Sequence, residues 1–283
     1  MDRELIFELQ KEIHSFGKMS ITISIADFSF QFNGLNSDLK EYLKENYKGF
    51  IFEKAENPTL VNLGKLEKEI EIKNSDFDLF HYEDCSGLAG LYFLALRTSR
   101  KEDYLLKVLA GNEKYFLFAV ENFLRWVIAN RALSNNGLLL HASSKVIDNE
   151  AHIFLGNHGA GKSTAVSLIE EGFTIADDVA LIMLKESSCF AYTMPAVTKF
   201  IQKEREIGRY EIKAFYKLIK SDENKLKKMA KPLAFAVIVS SIPFLVNTNR
   251  HHYIAKNLIE RLPVYELYFK KEKDFFKEAI NNL

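Results

Sequence analysis

The chain has 283 residues, with 38 Lys plus Arg against 38 Asp plus Glu, so its formal net charge is zero. A balanced chain carries no global attraction to a nucleic-acid backbone. Hydrophobic residues make up 47% of it, which excludes disorder and allows one large domain or two modest ones.

The apolar content is aromatic, with 23 Phe and 12 Tyr, while glycine is scarce at 13. Two cysteines, Cys85 and Cys189, are too few for a disulfide scaffold or a four-ligand zinc site, so both read as reduced thiols. The opening MDRELIFELQKEIHSFGK has no uninterrupted apolar stretch and does not read as a signal peptide. No run reaches the length of a membrane span; the nearest, Leu233 to Val246, contains two serines and a proline. The expectation is a soluble cytoplasmic protein with no nucleic-acid partner.

In chain order, Ile21, Ile23 and Ile25 alternate as a strand, and Phe28, Phe30 and Phe32 as a second. Asn36 to Lys48 has helical spacing through Leu39, Leu43 and Tyr47. Further strands are expected at Phe50–Phe52, Leu60–Leu66, Glu69–Lys73, Leu91–Thr98, Tyr104–Val108 and Tyr115–Phe118. Residues 1–118 therefore read as a smaller α+β domain of short antiparallel strands. From Phe118 to Leu133 the period becomes helical and ends at Asn135-Asn136-Gly137. The domain boundary is placed there, leaving 119–283 as a second, α/β domain.

In that second part the strands are Leu138–Ser143, Ala151–Leu155, Phe173–Ala176 and Val179–Leu184, with a turn at Asp148-Asn149 and a helix over Lys162–Glu171. Phe190–Met194 is extended and stops at Pro195. Glu211–Ile219 and Asp222–Met229 read as helices, Leu233–Ser240 as a continuous apolar strand, His252–Arg261 as a helix, Val264–Phe269 as a strand and Lys273–Leu283 as a closing helix.

One loop carries the chemistry. Gly156-Asn157-His158-Gly159-Ala160-Gly161-Lys162-Ser163-Thr164 satisfies the P-loop (Walker A) spacing G-x-x-x-x-G-K-[ST], between a short apolar strand and a helical run. Its glycines let successive backbone N–H groups turn toward phosphate oxygens. Lys162 would neutralise β- and γ-phosphate charge, and Ser163 would ligate Mg²⁺. Asp177 and Asp178 follow Lys162 by 15 and 16 residues, after one helix and one short strand, so they should return beside the loop. Of two adjacent acids, one can serve the metal while the other orients or deprotonates an attacking hydroxyl. His141 ends an apolar run leading toward the loop and could stabilise phosphate or tune the second acid. Within the loop, His158 reads as solvent-facing.

The run from Leu139 to Ile182 resembles the catalytic domain of HPr kinase/phosphorylase and its relatives, which share the nucleotide-binding fold of phosphoenolpyruvate carboxykinase. His141, Lys162, Ser163, Asp177 and Asp178 match that family's positions. The remainder is similar to the HPr-kinase-related group, through Arg125-Trp126, Pro195 and Arg261-Leu262-Pro263-Val264-Tyr265-Glu266-Leu267. This resemblance covers roughly residues 119–283. It implies an α/β fold with a P-loop and ATP-dependent phosphorylation of a hydroxyl, with Asp177 acting on that hydroxyl and Asp178 helping to hold Mg²⁺. It implies reversible or one-way phosphorylation of a serine, and such kinases are often homo-oligomers; the acceptor expected here is a serine of a protein or peptide, or a small hydroxylated molecule. The glycine-rich E-V-R-G segment of the regulatory kinase is missing, Glu204-Arg205-Glu206-Ile207-Gly208 being its nearest approach. Lys199, Lys203, Arg205 and Arg209 are candidates for a basic loop over the transferring phosphate. The competing functions are a nucleotide-binding adaptor with little chemistry and a simple NTP hydrolase.

Overall fold

The computed structural model describes residues 3–11, 13–53, 55–71, 77–83, 85–98, 103–195, 206–244 and 248–281. The chain divides into two compact units, Met1–Val127 and Ile128–Leu283, and the division falls inside a helix. Among the described residues there are two sheets and seven helices, a mixed α/β protein, and none of the helices is long and apolar enough to cross a membrane.

The first unit contains α1 (Arg3–Lys11), β1 (Met19–Ile25), β2 (Phe28–Leu35), α2 (Ser37–Asn46), β3 (Ile51–Phe52), β4 (Thr59–Leu66), β5 (Asp78–His81), β6 (Cys85–Gly90), β7 (Phe93–Thr98), β8 (Tyr104–Leu109) and most of α3 (Glu113–Ser134). Its eight strands run in the order β3-β1-β2-β4-β8-β7-β6-β5. The aromatic composition is used here: the Phe123 ring meets Phe32 at 5.8 Å and Tyr104 at 5.4 Å, and Trp126 meets Tyr104 at 5.8 Å, all edge-on.

Three expectations fail in this unit. The sheet is not wholly antiparallel, because β4 runs parallel to both β2 and β8. Parallel neighbours need a crossover, which α2 with β3 supplies before β4 and the β5–β6–β7 run supplies after it. Tyr115–Phe118 is the first turn of α3 and not a strand. Asn112 starts that helix, its side chain accepting from Lys114 N–H at 2.9 Å. Of the strand expected at Glu69–Lys73, residues 69–71 have no strand pairing and 72–73 lie outside the described residues.

The second unit contains β9 (Gly137–Leu140), β10 (Ala142–Ile147), β11 (Glu150–Leu155), α4 (Lys162–Leu168), β12 (Phe173–Ala176), β13 (Ala180–Leu184), β14 (Cys189–Tyr192), β15 (Arg209–Lys220), β16 (Lys225–Lys228), α5 (Lys231–Ser240), α6 (Thr248–Arg261), β17 (Val264–Phe269) and α7 (Phe275–Asn281). Its sheet runs β12-β10-β11-β15-β14-β13-β9, with β17 on β15 and β16 on β17. The helices expected at Glu211–Ile219 and Asp222–Met229 are the strands β15 and β16. Tyr210, Ile212 and Ala214 are buried while Arg209, Glu211 and Lys213 are exposed, a period of two. The strand expected at Leu233–Ser240 is the helix α5, with Pro232 in its first turn.

Behind β11 and α4, Phe154, Tyr216, Leu267, Phe275 and Phe276 form one buried cluster on which Ala165 and Val166 of α4 and its C-cap Ile169 rest. His152 belongs to the same wall. It is 7% exposed, is hydrogen-bonded through Nδ1 to the Tyr216 hydroxyl at 2.9 Å, and has its pKa pushed down from 6.5 to about 4 by burial. The unfolded chain therefore binds the extra proton first, so stability is full above pH 6.5 and falls as the pH drops toward 4, by up to about 3 kcal/mol from this group. His152→Gln cannot take that proton. Its melting temperature should fall less than the wild type's over this pH range, and parallel losses would contradict the assignment.

Candidate functional site

Strand register gathers the site. Ala142 at the start of β10 lies opposite Leu155 at the end of β11, and Ser144 opposite Ala176 at the end of β12. Ala180 at the start of β13 lies opposite Leu140 at the end of β9. The glycine loop leaves β11, the acidic pair leaves β12, and His141 separates β9 from β10, so all three emerge together.

In the loop, Gly159 and Gly161 have φ of +76° and +97°, the left-handed region in which any side chain is strained. Gly159 is exposed, and no atom lies within 4 Å of where its Cβ would stand, so its left-handed backbone and not crowding calls for glycine there. The Ala160 N–H donates to Asn157 O at 3.0 Å and closes the turn. Asn157 and His158 are exposed. Thr164 lies in α4, its carbonyl accepting from the Ser167 hydroxyl at 2.8 Å.

Lys162 is 8% exposed, and its ammonium donates to the carbonyls of Gly156 at 2.8 Å and Asn157 at 3.4 Å. Burial lowers its pKa, against the raising influence of Asp178 and then Asp177. Asp177 Oδ1 accepts two hydroxyl hydrogen bonds, from Ser143 at 2.7 Å and from Ser163 at 2.8 Å. Asp178 stands in the left-handed region at φ +74°, and its Oδ1 lies 3.2 Å from His141 Nδ1, both side chains about one-third exposed at 36% and 34%. The backbone holds this pair in place: Ala142 N–H donates to Asp178 O at 3.2 Å, and His141 N–H donates to Ser241 O at 2.6 Å.

His141, Lys162, Ser163, Asp177 and Asp178 are thus one constellation. Sequence reading passed over Ser143, two residues beyond His141, the repeat of an extended chain. It also passed over Lys145, a buried lysine whose ammonium reaches the carbonyls of Val166 and Ile169 at the end of α4 and so anchors the helix behind the loop. The available signal was a lysine between the strand expected at Leu138–Ser143 and the turn at Asp148-Asn149, a stretch that belongs to β10. Of the four basic candidates, Lys199, Lys203 and Arg205 lie outside the described residues. Arg209 begins β15 with its guanidinium 5.1 Å from the Phe190 ring centroid.

The donor set is chemically coherent. Ser163 Oγ and Asp177 Oδ1 are hard oxygens, suited to a Mg²⁺ that keeps waters and phosphate oxygens as its remaining ligands. Among the described residues no cluster of three or more His, Cys, Asp or Glu could hold a metal without such help. A cavity of about 390 Å³ adjoins the loop between Gly156-Asn157 and α5.

No curated protein matches the chain. Among solved structures, the Hpr(Ser) kinase/phosphatase from Coxiella burnetii is similar over 46% of this chain and 84% of its own length, at 15% identity and a TM-score of 0.29. The sequence itself is decisive at the family level: residues 110–278, more than half of the chain, match the model of "SynChlorMet cassette protein ScmC", and the chain belongs to the ScmC family.

Proposed function

We propose that the second unit is an ATP-dependent kinase, with a P-loop at Gly156–Thr164 of the kind found in phosphoenolpyruvate carboxykinase-like domains. The observation that carries this reading is the convergence of Lys162, Ser163, Asp177, Asp178 and His141 at the mouth of one glycine loop. The backbone N–H groups of residues 157–164 cradle the phosphates. Lys162, held by Gly156 and Asn157 carbonyls, marks the γ-phosphate end. Mg²⁺ would supply neutralisation of β- and γ-phosphate charge when bound.

The family resemblance implies Asp177 at the hydroxyl and Asp178 at the metal. The contacts favour the opposite division of labour. Asp177 shares an oxygen with Ser163 and so belongs with the cation, while Asp178 faces His141 and takes the role of base. Asp178 takes the proton of the acceptor hydroxyl, whose oxygen bonds to the γ-phosphorus. The bond from that phosphorus to the bridging oxygen breaks, and its electron pair leaves with ADP. Lys162 faces the charge that accumulates, and His141 steadies Asp178 before and after it gains the proton.

The test is incubation of the full chain with γ-labelled ATP, Mg²⁺ and hydroxylated acceptors. Label in an acid-stable phosphomonoester is the expected result. Label found only in inorganic phosphate would replace the kinase by a hydrolase, and label that never leaves ATP would reject both.

A further inference from the structure

The cavity beside the loop has features that the nucleotide phosphates do not use. Its walls include Gly156 and Asn157, whose carbonyls hold the Lys162 ammonium, so it adjoins the part of the loop that the kinase reading gives to the γ-phosphate. Ser241 also lines it, and Ser241 O accepts the His141 N–H, which ties the cavity to the Asp178–His141 pair. The opposite wall is α5. Leu233, Ala236, Val237 and Ser240 line the cavity at positions i, i+3, i+4 and i+7, one stripe of the helix. The other face of α5 buries Ala234 and Ile238. This double use explains why the segment is apolar throughout, and Leu233 remains 58% exposed on the open side.

The cavity also holds one charge of each sign. Lys217 on β15 and Glu266 on β17 are register partners on adjacent parallel strands, and both line it. Glu266 is oriented by the Tyr268 hydroxyl at 3.1 Å, with Lys227 at 3.8 Å. Lys217 is opposite Leu155, the residue before the loop, so the charges lie next to the phosphate end. At about 390 Å³ the volume is at the lower end of small-molecule sites, enough for a short segment of substrate and not for a folded surface.

We propose that this cavity is the acceptor site and takes a hydroxyamino-acid unit, free or within a short peptide. Its hydroxyl points to Asp178, its carboxylate or carbonyl to Lys217, its amine or amide to Glu266, and its aliphatic portion to the α5 stripe. The assignment rests on the kinase reading for the word acceptor; the pocket itself is tested separately.

The full chain, loaded with ADP and Mg²⁺, is examined by saturation-transfer NMR. The probes are L-serine, L-threonine and the tripeptide Ala-Ser-Leu, with L-alanine and Ala-Ala-Leu as hydroxyl-free controls. At least one hydroxylated probe should bind, and amino acid against tripeptide decides between the two sources. Ala236→Trp, which fills the cavity from an exposed helix face, and Lys217→Met should each weaken that binding about tenfold or more. A fluorescent ATP analogue should bind Ala236→Trp within about twofold of wild type. Failure of all three hydroxylated probes to bind would overturn the assignment. So would a loss of nucleotide affinity in a folded Ala236→Trp, because the cavity would then hold the nucleoside. Binding that Ala236→Trp blocks, without any phosphorylated probe, keeps the pocket and rejects the kinase. Phosphorylation indifferent to both substitutions keeps the kinase and rejects the pocket.

Discussion

Asp178→Asn is expected to slow phosphate transfer by about 10²- to 10⁴-fold while leaving the ATP dissociation constant within about threefold. The amide can still meet His141 Nδ1, and asparagine tolerates the left-handed backbone at φ +74°, so the fold should survive intact. What is lost is an oxygen able to accept the hydroxyl proton. Asp177→Asn should behave differently, because its Oδ1 is shared by the Ser143 and Ser163 hydroxyls. The concentration of Mg²⁺ needed for half-maximal activity should rise about tenfold, with activity largely recovered at saturating metal. Steady-state rates of the two variants across a Mg²⁺ titration check both expectations. If the metal requirement moved with Asp178 and the unrecoverable loss with Asp177, the order implied by the family resemblance would be restored.

The second large effect is expected at Lys162. Replacing it with alanine should weaken ATP binding by about 100-fold or more, since a charge-assisted contact to the phosphates is removed from a partly dry site. Stability should move the other way or not at all. The ammonium is buried and its pKa is lowered by that burial, so the folded chain bears a cost in keeping it charged. Its two acceptors, the carbonyls of Gly156 and Asn157, lie on a loop open enough for water to replace it. A melting temperature equal to or above the wild type's, together with lost nucleotide affinity by titration calorimetry, is the expected pair. A destabilised variant that binds ATP normally would place Lys162 in the scaffold and not in the site.

Much of the site was legible because its signals are local. Loop spacing, the short distance to Asp177-Asp178 and the apolar run into His141 need no knowledge of distant pairing. The division of work proposed for the two acids rests on which hydroxyl reaches which oxygen, a contact between distant segments that no local spacing states. Ser143 and Lys145 were missed for a related reason: each acts on a segment more than twenty residues away. In the fold, period-2 runs such as Ile21–Ile25 announce themselves. β15 did not, because its alternation runs into the consecutively buried Ala214, Phe215 and Tyr216, and its neighbours β11 and β17 are remote in sequence. Conversely α5 looked like a buried strand because both of its faces are apolar, one for the core and one for the cavity. Tyr115–Phe118 shows the same ambiguity of short apolar runs, settled by the Asn112 cap.

The measurement that bears most directly on the central claim is the ³¹P spectrum of ATP with Mg²⁺ titrated with the full chain and with Lys162→Ala. The expected result is that the β and γ resonances shift and broaden with the wild type and stay unmoved with the variant. Unchanged resonances with the wild type, or equal changes with both proteins, would contradict the assignment of the Gly156–Thr164 loop as the phosphate site.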